Sequence, residues 1–243
     1  MSNTLRIVEG ADEARRTVLR RAEDRLTAPA LPDHVRARIA EIFGEELSAA
    51  EVVSRIIEDV RSEGDAAVRR YSQQFDGSSY EELEVTHDEI MAAYDDVSSE
   101  LMEALEVALD RVHLYHERQM EHGPRSFTHE GIGMTVSPLR RAGIYMAGSD
   151  TVLPSTVIHA AVPGTVAEVP EIVGVTAARA DGSVHPLKLV AAHLAGVHRI
   201  FRASGVQGIA ALAFGTETVP RVDKIFGPGN VFVTLAKRQL YGI

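Results

Sequence analysis

The sequence contains no cysteine, and that absence removes several chemistries at once. Without thiols there can be no disulfide, no thiolate zinc cluster and no iron–sulfur centre. Nor is there a cysteine nucleophile to form a thiohemiacetal with an aldehyde. Any metal would have to be held by His, carboxylate or amide groups. An excess of positive charge is also missing. Lys and Arg number 25 against 35 Asp and Glu, a net charge of −10 with a pI near 5.5. That balance argues against nucleic acid or an anionic membrane as the main partner. No run approaches the roughly 18 apolar residues that cross a bilayer, and residues 1–6 lack the apolar stretch of a signal peptide. A cytoplasmic protein is expected. The dinucleotide fingerprint G-x-G-x-x-G is absent too. Gly131-Ile132-Gly133 has two of its glycines but no third, and no strand is expected to lead into it. No Ser-His-Asp arrangement, P-loop or H-E-x-x-H is visible.

What is present is enough for a substantial core: 243 residues, 45% of them hydrophobic, room for one large domain or two small ones. The chain divides into two unlike regions. Residues 1–140 are mostly helical. Ser48-Ala49-Ala50-Glu51 is a capping box, followed by Val52, Val53, Ile56, Ile57 and Val60 at helical spacing. Asp65 is expected to cap the next helix, with Ala67, Val68, Tyr71 and Phe75 as its buried stripe and Asp76-Gly77 as its stop. Thr86-His87-Asp88-Glu89 is a second capping box, and Ser98 or Ser99 opens a long helix that ends before Pro124. Residues 141–243 change pattern. Strand-like runs at 144–146, 171–175, 199–203 and 222–226 are separated by helical runs at 154–161, 185–195 and 206–214, with a last helix over 231–241. This alternation indicates parallel βαβ units. Pro163, Gly164 and Asp181-Gly182 read as loop punctuation.

Parallel sheets bind ligands at the carboxyl ends of their strands, and three loops leave strands toward such an edge. They are Tyr145-Met146-Ala147-Gly148-Ser149-Asp150, Ser204-Gly205-Val206-Gln207-Gly208 and Gly227-Pro228-Gly229-Asn230. In the last, two glycines around a proline allow a sharp corner close to a ligand, and Asn230 is placed to cap the helix behind it. Any one loop is equally well read as a plain turn. Three in register favour a site in which Tyr145, Gln207 and Asn230 converge, a ring and two amides suited to a nucleotide.

Histidines cluster around the long helix at His113, His116 and His122. A metal there would need further ligands from elsewhere, and a solvated helix face is the simpler reading. His159, His185, His193 and His198 read as helix surface or packing. Lys237-Arg238 sits where cations suit a helix dipole, and Arg140-Arg141 reads as a solvated pair.

With these loops in view, the chain resembles the histidinol dehydrogenase family along nearly all of its length. The resemblance is carried by Gly64-Asp65, Phe75-Asp76, His116-Glu117-Arg118-Gln119, Ala142-Gly143-Ile144-Tyr145 and Pro154-Ser155-Thr156-Val157. It continues through Gln207-Gly208-Ile209-Ala210-Ala211-Leu212-Ala213-Phe214-Gly215-Thr216-Glu217. It ends on Val222-Asp223-Lys224-Ile225-Phe226-Gly227-Pro228-Gly229-Asn230, and these last two blocks are long and specific.

The resemblance implies a homodimeric zinc enzyme that oxidises L-histidinol to L-histidine in two NAD-dependent steps. It implies an aldehyde dehydrogenase-like fold in which residues 1–140 belong to a first α/β domain. Residues 141–243 would form a Rossmann-like NAD-binding domain whose C-terminal end is missing. It also implies that Tyr145, Gln207 and Asn230 contact NAD. The family's zinc ligands and catalytic Glu-His pair fall beyond Ile243. The chain therefore reads as an N-terminal half, inactive alone, with no catalytic or metal-binding residue of its own. Gln119-Met120-Glu121-His122 imitates the zinc segment but stands in the wrong place. Two loops depart from the family pattern: Ala147 and Ser149 replace Pro and Gly in Tyr-x-Pro-Gly-Gly, and Ser204 replaces Gly in Gly-Gly-Ala-Gln. Two other readings remain, a divergent NAD-dependent alcohol dehydrogenase of the same family and a non-catalytic nucleotide-binding or dimerising module.

Overall fold

The computed structural model describes residues 7–18, 31–148 and 152–243. After a short helix α1 (Ala11–Arg16), helices α2 (Asp33–Phe43), α3 (Ala49–Glu63), α4 (Asp65–Asp76) and α5 (His87–Ala92) follow. A 3₁₀ turn at Ala93–Asp96 leads to the long α6 (Ser99–Glu121). Both capping boxes form: Ser48 and Thr86 each accept from the backbone of Glu51 and Glu89, whose carboxylates return the bond. Ser98 caps α6 by accepting from Leu101 N.

A hairpin of β1 (Phe127–His129) and β2 (Ile132–Met134) then intervenes. A strand does lead into Gly131-Ile132-Gly133, contrary to the sequence expectation, but the two strands pair antiparallel and no helix follows them. Next come β3 (Arg141–Met146), α7 (Pro154–Val166), β4 (Glu171–Thr176) and α8 (Pro186–Leu194). The chain continues through β5 (Arg199–Arg202), α9 (Gly205–Phe214), β6 (Lys224–Phe226) and α10 (Val231–Gln239).

Strands β3 to β6 form one parallel sheet in the order β5-β4-β3-β6. Successive strands step outward from β3 to β5, and the chain then returns to lay β6 on the other side of β3. The side chains alternate as a pleated strand requires. Tyr145, Val173, Val175 and Phe201 face one core with α3, α4, α9 and α10. Ala142, Ile144, Met146, Ile172 and Ile200 face a second core with α6, α7 and α8. The helices before the sheet thus pack on both of its faces. The free edge of β5 is covered by residues 83–85, through Arg202 N to Leu83 O at 2.7 Å and Val85 N to Ile200 O at 2.8 Å, so no bare strand edge is left there.

Four local expectations need correction. Gly64, with φ of 59°, holds the N-cap position of α4, and Asp65 is its first helical residue. Asp65 is buried and accepts from the hydroxyls of Thr216 and Thr218, while Glu217 accepts from its backbone N–H at 2.8 Å. These bonds tie α4 to the loop after α9. Phe75 lies at the exposed end of its stripe. Pro163 and Gly164 lie inside α7. Burial of Val157, Ile158, Ala161 and Val162 outweighs the backbone bond that proline forfeits. Gly164 is there for space, because a Cβ would stand 3.1 Å from Ile172 Cδ1. Arg141 is not a solvated residue: its Nε pairs with Glu171 at 2.5 Å and Nη1 donates to Arg221 O at 2.8 Å.

Leu101, Val107, Leu114, Tyr115 and Met120 on α6, with Phe127 and Ile132 on the hairpin, present apolar side chains to solvent. No helix among the described residues is long and apolar enough to cross a membrane.

Candidate functional site

The return of the chain from β5 to β6 creates a topological switch point between β3 and β6, where loops from adjacent strands diverge and leave a crevice. A cleft of about 650 Å³ opens there. Its walls are the segment 145–148 at the end of β3, Ala177 after β4, residues 204–207 at the start of α9, and residues 228–230 before α10. One side is closed by α2, which contributes His34 and Arg38. Tyr145, Gln207 and Asn230 all line this one cleft. Ser149 and Asp150 of the first loop lie outside the described residues.

Each of the three residues is held by local structure. Tyr145 lies one residue before the end of β3 with its ring almost buried, and its hydroxyl accepts from Gly205 N at 3.1 Å. The ring thereby spans from the sheet to the first turn of α9, and burial raises its pKa. Gln207 is buried and turns its amide inward, where Nε2 donates to Ser204 Oγ at 3.3 Å and Ser72 Oγ at 3.5 Å. Asn230 caps α10 as expected, Oδ1 accepting from Phe232 N at 3.0 Å and Val233 N at 3.1 Å. Its amide nitrogen is the group left to address the cleft. The Gly227 corner is pressed onto β3: its φ is 107°, and a Cβ would fall 2.4 Å from Tyr145 O. Lys237 is more than a dipole partner, since its half-buried Nζ donates to Gly227 O and fixes the corner from behind. Desolvation lowers its pKa.

Two further residues at the cleft were not read as site residues in the sequence, where Asp76 stood only as a helix stop and as part of the resemblance. Asp76, the last residue of α4, lines the cleft and accepts from Ser204 Oγ. Burial raises its pKa and the serine hydrogen bond opposes that rise. A signal was available: an acid in the last helical turn faces the negative end of the dipole and so calls for another reason to be there. Lys188 lies just beneath the cleft. Its side chain is fully buried on α8, and Nζ donates to Thr176 Oγ1 at 2.9 Å and to Gly148 O. Burial brings its pKa down to about 8, and no counter-ion meets it among the described residues. Nothing in the apolar run Pro186-Leu187-Lys188-Leu189-Val190 marked this lysine as more than a snorkelling surface residue.

Several histidines other than His34 are engaged elsewhere. His113 lies 3.4 Å from Glu117 and His116 bonds Gln119 at 2.9 Å, all on exposed α6. His185 caps α8 by accepting from Leu187 N at 3.2 Å. His193 meets Tyr94 at 2.7 Å, and His198 accepts from Ile172 N at 3.0 Å. No group of three or more His, Asp or Glu close enough to hold a metal ion occurs among the described residues.

A parallel sheet with helices on both faces and a cleft at its switch point defines a doubly wound α/β protein of the type that binds ligands at its strand ends. Comparison with known proteins makes the assignment specific. The histidinol dehydrogenase family model matches residues 44–243. The histidinol dehydrogenase of Deinococcus radiodurans is 47% identical over 213 residues, 87% of this chain and 48% of that protein. That of Geobacter sulfurreducens is 48% identical over 206 residues, 82% of this chain and 48% of that protein. A crystal structure of histidinol dehydrogenase from Elizabethkingia anophelis superposes with a TM-score of 0.74 at 34% identity, covering 81% of this chain and 46% of that one. The chain belongs to the histidinol dehydrogenase family. It spans about half the length of the curated relatives it matches.

Proposed function

We propose that this chain forms the NAD-binding wall of a histidinol dehydrogenase, which oxidises L-histidinol to L-histidine by way of the aldehyde. The observation that carries the reading is the convergence of Tyr145, Gln207 and Asn230 on one cleft at the β3–β6 switch point. Tyr145 supplies a held ring face for a flat heterocycle. The N-terminus of α10 behind Asn230 offers a partial positive charge to an anionic group. Gln207 acts indirectly, fixing Ser204 and the first turn of α9. Bound NAD supplies the hydride acceptor, and this chain's part is to seat it with one face toward the substrate.

Removing a hydride from an alcohol also requires loss of the hydroxyl proton and stabilisation of the forming carbonyl, tasks for which zinc and a base are suited. We assign no residue of this chain to zinc or to the base. The aldehyde dehydrogenase-like architecture, a homodimeric assembly and a cytoplasmic location belong to the same proposal. Apolar side chains open to solvent on α6 and the β1–β2 hairpin support packing against further protein. The two loop departures at Ala147 and Ser204 keep the divergent alcohol dehydrogenase as the second reading, differing in substrate and not in cofactor.

Calorimetric titration of NAD into the chain tests the reading, with Tyr145→Ala and Asn230→Ala as variants. Binding that each variant weakens by about tenfold is expected, the scale of one good polar or stacking contact. No heat with NAD at millimolar concentration refutes it. Histidinol-dependent NAD reduction is expected of a protein carrying the full family length and not of these 243 residues alone.

A further inference from the structure

We propose that Asp76 accepts hydrogen bonds from the ribose diol on the adenosine side of the dinucleotide, and that through it the cleft rejects a 2′-phosphorylated cofactor. This rests on the cofactor reading above.

Asp76 sits at the junction of three elements: it ends α4, its carboxylate is bonded by Ser204 at the start of α9, and it shares the cleft wall with Tyr145 and Gly205. An ionised carboxylate can accept about four hydrogen bonds. Among the described residues the one donor is Ser204 Oγ, and no ion pair neutralises Asp76. The neighbouring amide, Gln207 Nε2, is given instead to Ser204 and Ser72. The charge is poorly compensated and half-buried, and it stands at the C-terminal end of a helix, where the dipole disfavours an anion. A purely structural staple between α4 and α9 would be served as well by a neutral side chain. A carboxylate left short of donors and open to a cleft suits a ligand that brings donors of its own.

A vicinal diol does so, with two hydroxyls at the spacing of two carboxylate oxygens, and doubly wound dinucleotide sites use an acid in this way. A phosphate in the same place brings like charge into a desolvated wall, where repulsion is felt strongly. Arg38 reaches the same end of α4 as Asp76 but is not free to receive such a phosphate. Its guanidinium is already held by Glu41 and by Gln74 O, both at 2.7 Å.

The test compares NAD and NADP binding to the chain by calorimetry, together with thermal melts, for the native protein, Asp76→Asn and Asp76→Ser. The native protein is expected to favour NAD by at least about tenfold. Asp76→Asn should lose about tenfold in NAD affinity, as expected for hydrogen bonds to a charged acceptor, and narrow the gap to NADP. Its melting midpoint at pH 7 should equal or exceed the native value, because the variant no longer desolvates a charge. A purely structural staple would keep both the NAD affinity and the gap, whatever its melting midpoint. Asp76→Ser retains a small acceptor beside Ser204 and should show the same narrowing if the asparagine variant folds poorly. NAD affinity and gap both unmoved in a folded variant overturn the proposal and leave the cofactor reading standing. Loss of NAD affinity with the gap unchanged places the contact at the other ribose and overturns the selectivity. Native protein that binds neither dinucleotide overturns both readings.

Discussion

Replacing Lys188 by methionine should change how the stability of this protein depends on pH. Met keeps the length and apolar stem of the lysine and removes the charge. In the fold Nζ is buried against Gly148 O and Thr176 Oγ1 with no carboxylate beside it among the described residues, and its pKa falls from 10.5 to about 8. In the unfolded chain it returns to the ordinary lysine value. Between those two values the unfolded state binds more protons than the native state, so native stability rises as pH rises through the window. The full difference corresponds to about 3 kcal/mol of destabilisation when the lysine is charged in both states. Between about pH 7 and about pH 9.5 roughly 2 kcal/mol of it is relieved by linkage. For a chain of this length that is about 4–8 °C in melting midpoint. Other groups titrate over the same range, so the quantity to measure is the difference between native protein and Lys188→Met at each pH. It should run in favour of the native chain by about 2 kcal/mol from the lower to the higher pH. A difference constant to within about 0.5 kcal/mol across that range, in urea or thermal unfolding, would mean that the amine is solvated or paired in solution and would refute the argument.

Gly227→Ala should lower stability by at least about 2 kcal/mol, since it combines a positive φ with a Cβ forced against a backbone carbonyl. It should also move the Gly-Pro-Gly-Asn corner, so NAD binding falls with stability; a variant that melts like the native protein would contradict the close approach of Gly227 to Tyr145. Asp65→Ala leaves the hydroxyls of Thr216 and Thr218 without their shared acceptor and should cost about 3 kcal/mol in urea unfolding. A change below about 1 kcal/mol would show that those bonds exchange freely with water.

Much of the site was legible because its signals are local. The Gly227-Pro228-Gly229-Asn230 corner announces itself through backbone chemistry, and Asn230 caps α10 for the reason any short polar side chain caps a helix. The capping boxes at Ser48 and Thr86 formed for the same kind of reason. Strand cores at 144–146, 171–175 and 199–202 followed from apolar runs bounded by turns, and the rule that ligands sit at strand ends brought Tyr145, Gln207 and Asn230 to one cleft. Where local signals competed with burial they misled. Pro163 and Gly164 are breakers in any peptide, yet α7 keeps them between β4 and its neighbouring helices because an apolar face is worth more than one backbone bond. Phe127 and Ile132 belong to a hairpin too short for its alternation to show.

The sequence by itself determined the alternation of helices and strands, the turn chemistry of the three loops and the family to which they belong. All of these depend on residues within a few positions of one another. The tertiary structure alone decided which side chains those loops would meet. Asp76 and Ser204 are 128 positions apart, Lys188 and Gly148 are 40 apart, and Asp65 reaches Thr216 across 151. Such pairs are set by how the helices pack on the two faces of the sheet. A charge buried by that packing carries no mark in its own neighbourhood, which is why the acid and the amine that shape this cleft emerged only from the fold.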